Sequence, residues 1–401
     1  MTRSATVDII HLAHSFFPAD TRVKREALAA AATGLTVCVV VLRGPGQAGE
    51  EEMDGLQVLR LPGTKSRGGP LTYVGEYLAF IWRCRRLLAR DPRFRQVRIV
   101  HVHALPDFLV WAATPARRRG ARIILDLHEI FPEFTASKFP GAAGRVAGAV
   151  AKLLERQARR RADVTITVNR PIAALLSSRG IGRPERLVLI HNSADPADYG
   201  PVRVPEVHAR PQPGVPLELV YHGTLTHLYG MDIAIRGVAL AVARGTAVHL
   251  TILGDGQERD ALARLVNDLH ASEQVTFEAH IPQSALRERL TRADGGIVPT
   301  RLDGMTRYSL SNKLLDYVHL GIPVLAARLP SYADYLADDA AWFWNPEDPE
   351  QLAAAIAEFA ATTPEERRAR PSQAQWALRD VAWGEERARL IETYRSLLND
   401  P

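Results

Sequence analysis

The chain has 401 residues, more than one hydrophobic core usually holds, so two domains are expected. Hydrophobic content of 46% and charged content of 24% are those of a globular protein in water, and no apolar run reaches the roughly 20 residues of a membrane span. Charge is uneven: residues 1–200 carry 30 Lys and Arg against 18 Asp and Glu (+12), the remainder 20 against 27 (−7), which points to an anionic partner for the first half.

The chain opens with MTRSATVDIIHLAHSFFPAD. Asp8 interrupts its apolar run and no small-residue cleavage site follows, so it reads as a first core strand and not a signal peptide. Strand-type runs TVDIIHL, TVCVVVL, VRIVHVHA, ARIILDL, DVTITV and RLVLI then alternate with amphipathic stretches at 20–32, 71–90 and 145–161. Near-continuous apolar strands separated by helices describe a parallel sheet covered on both faces. Cys38 and Cys84 have neither the number nor the spacing for a disulfide framework or a zinc site, which suits a cytoplasmic protein.

Two strand ends in this half carry candidate chemistry. VRIVHVHALPDF places His101 and His103 on one side of a strand, with His103 at its C-terminal tip. A second strand ends DLHEIFPEF, with His128, Glu129 and Glu133. Histidine and acid delivered to one rim suit proton handling or sugar binding, and equally a structural histidine. Their spacing along the chain is not that of a metal site.

Residues 195–216, DPADYGPVRVPEVHARPQPGVP, are proline-rich with little periodicity and read as a linker between a domain at 1–194 and another at 217–380. The alternation restarts with LELVYHG, AVHLTILG, QVTFEA, GGIVP and PVLAA, with helical stretches between them. The last segment, 381–401, contains an amphipathic helix with no strand after it and is expected to pack back towards the first domain. Two doubly wound domains facing a central cleft would line it with strand C-termini and helix N-termini, which suit a phosphate-bearing ligand.

Three stretches of the second half stand out. YHGTLTHLYGMD is a strand, Gly223, a polar loop with Thr224 and His227, then Gly230 and a helix. LTILGDGQERDAL ends a strand at Gly254-Asp255-Gly256, where glycines allow close backbone approach and Asp255 can accept from a ligand hydroxyl or cap the helix. It is not a full G-x-G-x-x-G and has no Walker lysine, so dinucleotide and P-loop readings fall away. In RYSLSNKLLDYVHLGIPVLA, Leu310, Leu314, Leu315 and Val318 share one helix face and Asn312, Asp316 and His319 the other. Ser309 or Ser311 can cap this helix, and Asp316, off the core face, meets either water or a cleft.

Taken in order, DTRVKREALAAAATGLTVCVVV, VHVHALPDFL, LDLHEIFPE, HNSADPADY, HGTLTHLYGMDIAI, ILGDGQERDAL, GGIVP and NKLLDYVHLGIPVLA resemble the GT-B glycosyltransferases, in particular the retaining, nucleotide-sugar-using family 4. The resemblance covers nearly the whole chain and implies an α/β GT-B fold with two Rossmann-like domains. It implies transfer of a sugar from a nucleoside-diphosphate sugar to an acceptor hydroxyl, with retention and without a cofactor. Asp316 matches the second of two family glutamates eight residues apart, the one that contacts the ribose hydroxyls. His103 matches the family histidine near the transferred sugar. His103, Lys313 and Asp316 are the implied catalytic residues. Gly223, Thr224, Gly254, Asp255, Gly256, Arg307, Tyr308 and Ser309 are implied to join Lys313 and Asp316 around the donor, and Asp20, Arg22, His128 and Glu129 to face the acceptor.

Two departures from the pattern stand out. The first family glutamate is replaced by Tyr308, so sugar contacts fall to its hydroxyl, to backbone amides or to Asp303. Thr224 and Tyr229 stand where many members carry an arginine and a lysine for the diphosphate, so that charge falls to Lys313, Arg307, Arg301, His227 and the N–H groups at the helix start. No D-x-D motif sits at a strand end, consistent with no metal ligands. The rivals are a GT-B nucleotide-sugar 2-epimerase and an inactive nucleotide-binding module. Arginine-rich runs at 82–98, 116–120 and 155–163 read as solvated faces or as contacts with an anionic membrane or a phosphate-linked lipid acceptor, with Arg83, Arg85 and Arg86 foremost. The acceptor is then a sugar, a lipid-linked group or another small molecule. Nucleic acid is not expected, because no recognition motif accompanies the charge.

Overall fold

The computed structural model describes residues 6–64, 70–138, 141–180, 186–205, 215–279, 281 and 283–399. Residues 206–214 of the linker expected at 195–216 lie outside the described residues. The chain forms two compact units, Met1–Asn192 with Gly384–Pro401, and Ser193–Trp383.

The first unit is built on an eight-stranded sheet: β1 (Ile9–Phe16), β2 (Val37–Leu42), β3 (Glu50–Met53), β4 (Leu56–Leu61), β5 (Ile99–His103), β6 (Arg122–Leu127), β7 (Val164–Thr167) and β8 (Leu187–Leu189). Its order is β3-β4-β2-β1-β5-β6-β7-β8, parallel throughout except for the β3–β4 hairpin. All six residues of β2 are buried, as a central parallel strand requires. Asp20 caps the Thr21–Ala31 helix, its side chain accepting from the Val23 N–H at 3.5 Å. From Gly384 onward the Trp383–Asn399 helix belongs to this unit: Leu390 and Tyr394 are buried, and His191 Nδ1 lies 2.6 Å from Glu386 Oε1.

The second unit has six parallel strands: β9 (Leu217–His222), β10 (Val248–Leu253), β11 (Val275–Glu278), β12 (Gly295–Val298), β13 (Val324–Ala327) and β14 (Trp342–Trp344). Their order is β11-β10-β9-β12-β13-β14. Leu219, Tyr221, Ile297 and Leu325 enter one apolar cluster, while Val220, Val298 and Ala326 enter another, so side chains of the strands feed a core on each face.

In both sheets the order reverses around an early strand: β1 lies between β2 and β5, and β9 lies between β10 and β12. Chains leaving neighbouring strands diverge to opposite faces at such a point and leave a crevice beyond the strand C-termini. That is where each unit gathers its polar residues.

Candidate functional site

In the first unit, β1, β5 and β6 lie side by side, with His11 opposite His101 and His103 opposite Asp126. Their C-terminal ends open onto a cavity of about 330 Å³ whose lining includes Asp20, Arg22, His103, His128 and Glu129, together with His14 and Tyr77. All five expected residues of this unit are therefore brought together. Arg22 Nε stands 3.6 Å from Asp20. Burial alone would raise the Asp20 pKa, but Arg22 outweighs it, with His128 and His103, and the carboxyl is held below its ordinary value.

Behind the cavity wall lies a polar cluster. His103 Nε2 meets His11 Nδ1 at 2.9 Å, and His103 Nδ1 lies 3.3 Å from His128 Nε2 and 3.2 Å from Asp126 Oδ2. His128 Nε2 is 2.9 Å from the same carboxylate oxygen. His101 Nδ1 is 2.7 Å from the Tyr394 hydroxyl, and its Nε2 is 3.6 Å from both Glu26 Oε2 and Asp126 Oδ2. Both nitrogens of His103 thus face protein groups. Desolvation lowers the pKa of His11, His101, His103 and His128, His101 to about 4, so all four are neutral near pH 7. Burial and the neighbouring Asp126 push the Glu26 pKa well up, while His128, with His101 and His103, holds Asp126 well below its ordinary value against its own burial.

Spacing along the chain gave no metal site, yet possible ligand atoms do converge in space. One ligand atom from each of Glu26, His101, His103 and Asp126 lies within 4.8 Å of the others, as do those of His11, His101 and His103. These sets could hold a metal ion. Parallel pairing across three strands brings the histidines and Asp126 together, and the Thr21–Ala31 helix adds Glu26, a proximity that no local motif reveals. Signals for Glu26 and Asp126 did exist. Glu26 sits among Val23, Ala27 and Ala30 on the buried face of its helix, and Asp126 is two residues before His128.

In the second unit the helix Asn312–His319 follows a 3₁₀ turn at Thr306–Tyr308. Lys313 reaches back over β9. Its Nζ lies 4.0 Å from the centre of the Tyr229 ring and 5.2 Å from that of Tyr221. A Cβ on Gly223 would stand 2.8 Å from Lys313 Cε, so only glycine lets the lysine lie there. Desolvation brings the Lys313 pKa down to about 8, opposed by Asp316. Asp316 Oδ2 is 3.6 Å from His222 Nε2, and burial and Lys313 hold His222 neutral, its pKa down to about 3.

Several expectations change here. Asp316 is buried, not on a solvated face, because His222 at the end of β9 packs beside it; Asn312 is exposed and His319 half-buried, with Nε2 2.8 Å from the Gly200 carbonyl. Ser311 is the N-cap residue but makes no side-chain capping bond. Asp255 does not cap a helix: its Oδ1 accepts from the Gly256 N–H at 2.8 Å, and the next helix begins at Arg259. Cβ atoms on Gly254 and Gly256 would lie 1.9 Å from the Gly223 carbonyl and 2.2 Å from the Leu225 carbonyl. Those glycines serve backbone-to-backbone packing that fixes the Gly223–Leu225 loop, with Thr224 exposed on it.

The basic groups are divided. Arg301 is tied to Asp232 at 2.6 Å and to the His227 carbonyl at 3.1 Å, and Asp303 Oδ1 accepts from the N–H groups of Met305 and Thr306. Neither is available as expected. Arg307 is exposed, its guanidinium 5.6 Å from the Tyr308 ring centre, and no contact among the described residues joins it to Lys313. The Ser309 carbonyl accepts from Ser331 Oγ at 2.6 Å. A second cavity, of about 70 Å³, lies beside Leu315 and His319 and is lined by none of the expected donor residues.

Residues 19–193 match the family described as "Glycosyl transferase 4-like domain" and residues 216–362 that described as "Glycosyl transferases group 1". Over 205 residues the chain is 26% identical to the putative colanic acid biosynthesis glycosyltransferase WcaL of Salmonella typhimurium, covering 50% of this chain and 48% of that protein. It thus spans about half the length of the curated relatives it matches. Sucrose-phosphate synthase from Thermosynechococcus elongatus superimposes with a TM-score of 0.77 at 16% identity, over 98% of this chain and 100% of that one. HepE of Anabaena, solved in complex with UDP-glucose, gives 0.70 at 16% identity, over 97% and 99%.

Proposed function

Since the chain belongs to the GT-B glycosyltransferases, we propose that it moves a sugar from a nucleoside-diphosphate sugar to an acceptor hydroxyl, with retention of anomeric configuration. The observation that carries this reading is Lys313 lying over Gly223, an ammonium held by two tyrosines at the C-terminal end of β9. A diphosphate leaving group develops negative charge in the transition state, and a preorganised cation stabilises it. Lys313 supplies that cation in a chain that has Thr224 and Tyr229 where many members carry an arginine and a lysine. Asp316, beside neutral His222, accepts from the ribose hydroxyls.

The first unit holds the acceptor. Asp20, Arg22, His128 and Glu129 supply polar contacts around the 330 Å³ cavity, and His103 is fixed from behind by His11 and Asp126. HepE's solved complexes with UDP-glucose and with UDP support a nucleoside-diphosphate donor. The acceptor is a sugar, a lipid-linked group or another small molecule, and the place of action is the cytoplasm or the membrane surface bounding it. Lys313 meets the diphosphate charge, so the reaction needs neither a cofactor nor a divalent ion.

The test is a panel of nucleoside-diphosphate sugars with candidate acceptors in the presence of a chelator, following nucleoside diphosphate release and the anomeric configuration of the product by NMR. A retained product formed under chelation is expected. Epimerised sugar without acceptor would favour the 2-epimerase, and an inverted product would overturn retention.

A further inference from the structure

The first unit carries apolar side chains where a water-facing helix has no use for them. The Pro70–Arg90 helix already has a core face, with Phe80, Cys84 and Leu88 buried. It has a second apolar stripe in Val74, Leu78 and Trp82, one every four residues. The Gly141–Arg161 helix turns Gly144, Gly148 and Ala151 inward and carries Val146, Val150 and Leu153 outward. These six outward side chains are each between 48 and 64% exposed. At 100° per residue, Arg85 and Ala89 continue the first stripe with Arg86 at its edge, and Arg160 continues the second.

The three arginine-rich runs divide by partner. Arg83 donates to the Pro62 carbonyl at 2.7 Å, Arg93 pairs with Asp91 and Glu50, Arg119 donates to the Leu88 and Phe94 carbonyls, and Arg159 donates to the Leu176 carbonyl. These are structural, which removes Arg83 from the set expected to face a membrane. Arg85, Arg86, Arg90 and Arg118 have no carboxylate partner among the described residues, and the Arg86 guanidinium lies 5.5 Å from the Trp82 ring centre. Arg117, Arg85 and Arg118 all act on Arg161, whose pKa is lowered first by burial and then by these three like charges. Arginines from all three runs therefore meet at the C-terminal ends of the two helices.

An apolar stripe with tryptophan, continued by unpaired arginines on the same face, is the pattern of a helix lying at a bilayer interface. No helix among the described residues is long and apolar enough to cross a membrane. We propose that the outward faces of these two helices dock on an anionic phospholipid bilayer, with Val74, Leu78 and Trp82 entering the interfacial layer and Arg85 and Arg86 meeting lipid phosphates. A nucleic acid would use the arginines but leave the apolar stripes unexplained.

The proposal is independent of the reaction, and its test uses no sugar donor. Full-length protein is mixed with phosphatidylcholine vesicles with and without phosphatidylglycerol, at low and at high salt, and bound protein is measured by flotation. Binding is expected only with phosphatidylglycerol and is weakened by salt. Each arginine near an anionic leaflet contributes roughly fivefold in affinity, so Arg85→Gln/Arg86→Gln should lose on the order of 25-fold. Leu78→Ser/Trp82→Ser should also lose binding, and these exposed changes leave the core intact. Quenching of tryptophan emission by bromine-labelled lipid should largely disappear in Trp82→Phe. Equal binding to both vesicle types, no binding at low salt, or binding that survives both multiple variants overturns the proposal. So does a stable dimer in sedimentation velocity that is lost in Leu78→Ser/Trp82→Ser, which would assign the face to a second copy of the chain.

Discussion

The Lys313 ammonium lies 4.0 Å from the centre of the Tyr229 ring. The residue that stands where the family pattern has a lysine is thus the one that holds a lysine from elsewhere. A cation over an aromatic face gains about 0.5–2 kcal/mol, depending on desolvation. Replacing Tyr229 with Ala should weaken nucleoside diphosphate binding by that order, while Tyr229→Phe should keep most of it. Calorimetric titration of both variants checks this.

Lys313→Met should reduce affinity for nucleoside diphosphates and leave nucleoside affinity nearly unchanged. A hydrogen bond to a charged group contributes about 1.5–3 kcal/mol, roughly ten- to a hundredfold in affinity. Equal losses for nucleoside and diphosphate would make Lys313 a structural residue. Asp316→Ala should show the opposite pattern and lose affinity of similar order for nucleoside and diphosphate alike.

The same lysine predicts a pH dependence. Its pKa in the free protein is about 8, and a bound diphosphate raises it. Binding is therefore linked to retention of one proton: affinity is level with respect to this group below about pH 8 and falls by up to about tenfold per unit above it. Lys313→Met should remove that fall, which binding assays from pH 7 to 9.5 would reveal.

The histidine cluster predicts a stability profile. His11, His101, His103 and His128 have folded pKa values below 6.5, so in that window the unfolded chain binds more protons and stability is lost as pH falls. Glu26 acts the other way: its raised folded pKa favours the folded state at low pH and loses that contribution as pH rises through it. Four histidines outweigh one glutamate, so Tm should drop on going from pH 7 to pH 5. His103→Ala should lower turnover more than nucleotide affinity, and should also lower Tm, because His11 and Asp126 lose a partner.

The alternating architecture was readable because parallel strands buried on both faces leave long apolar runs, as VCVVVL shows. Less readable was the β3–β4 hairpin, whose EEEMDGLQVL has an acidic outer strand, although Asp54-Gly55, both with positive φ, is a recognisable two-residue turn. The donor-side residues were named by motif, and the structure shows partners that the motif does not: Arg301 pairs with Asp232, and Gly254 packs on the Gly223 carbonyl. Asp126 escaped because its place beside His103 comes from strand register, and Glu26 because it reaches the cluster from a helix packed on the sheet; neither relation is local in sequence.

Gly254 offers a separate check on the donor loop. A Cβ there would fall 1.9 Å from the Gly223 carbonyl, forcing backbone to move under Lys313. Gly254→Ala should destabilise the protein by about 1–3 kcal/mol, as overpacking does, and weaken diphosphate binding as well. Thermal melts with and without nucleoside diphosphate separate the two effects.

The central claim is that this chain transfers sugar from a nucleoside-diphosphate donor, with Lys313 meeting the leaving diphosphate. The most direct measurement is acceptor-dependent release of nucleoside diphosphate from a panel of sugar donors, comparing wild type with Lys313→Met at saturating donor. The account predicts release that rises with acceptor and falls at least about tenfold in the variant, the effect of losing about 1.4 kcal/mol of transition-state stabilisation. Full release by Lys313→Met, or wild-type protein that binds nucleotide yet releases none with any donor and acceptor, would contradict it.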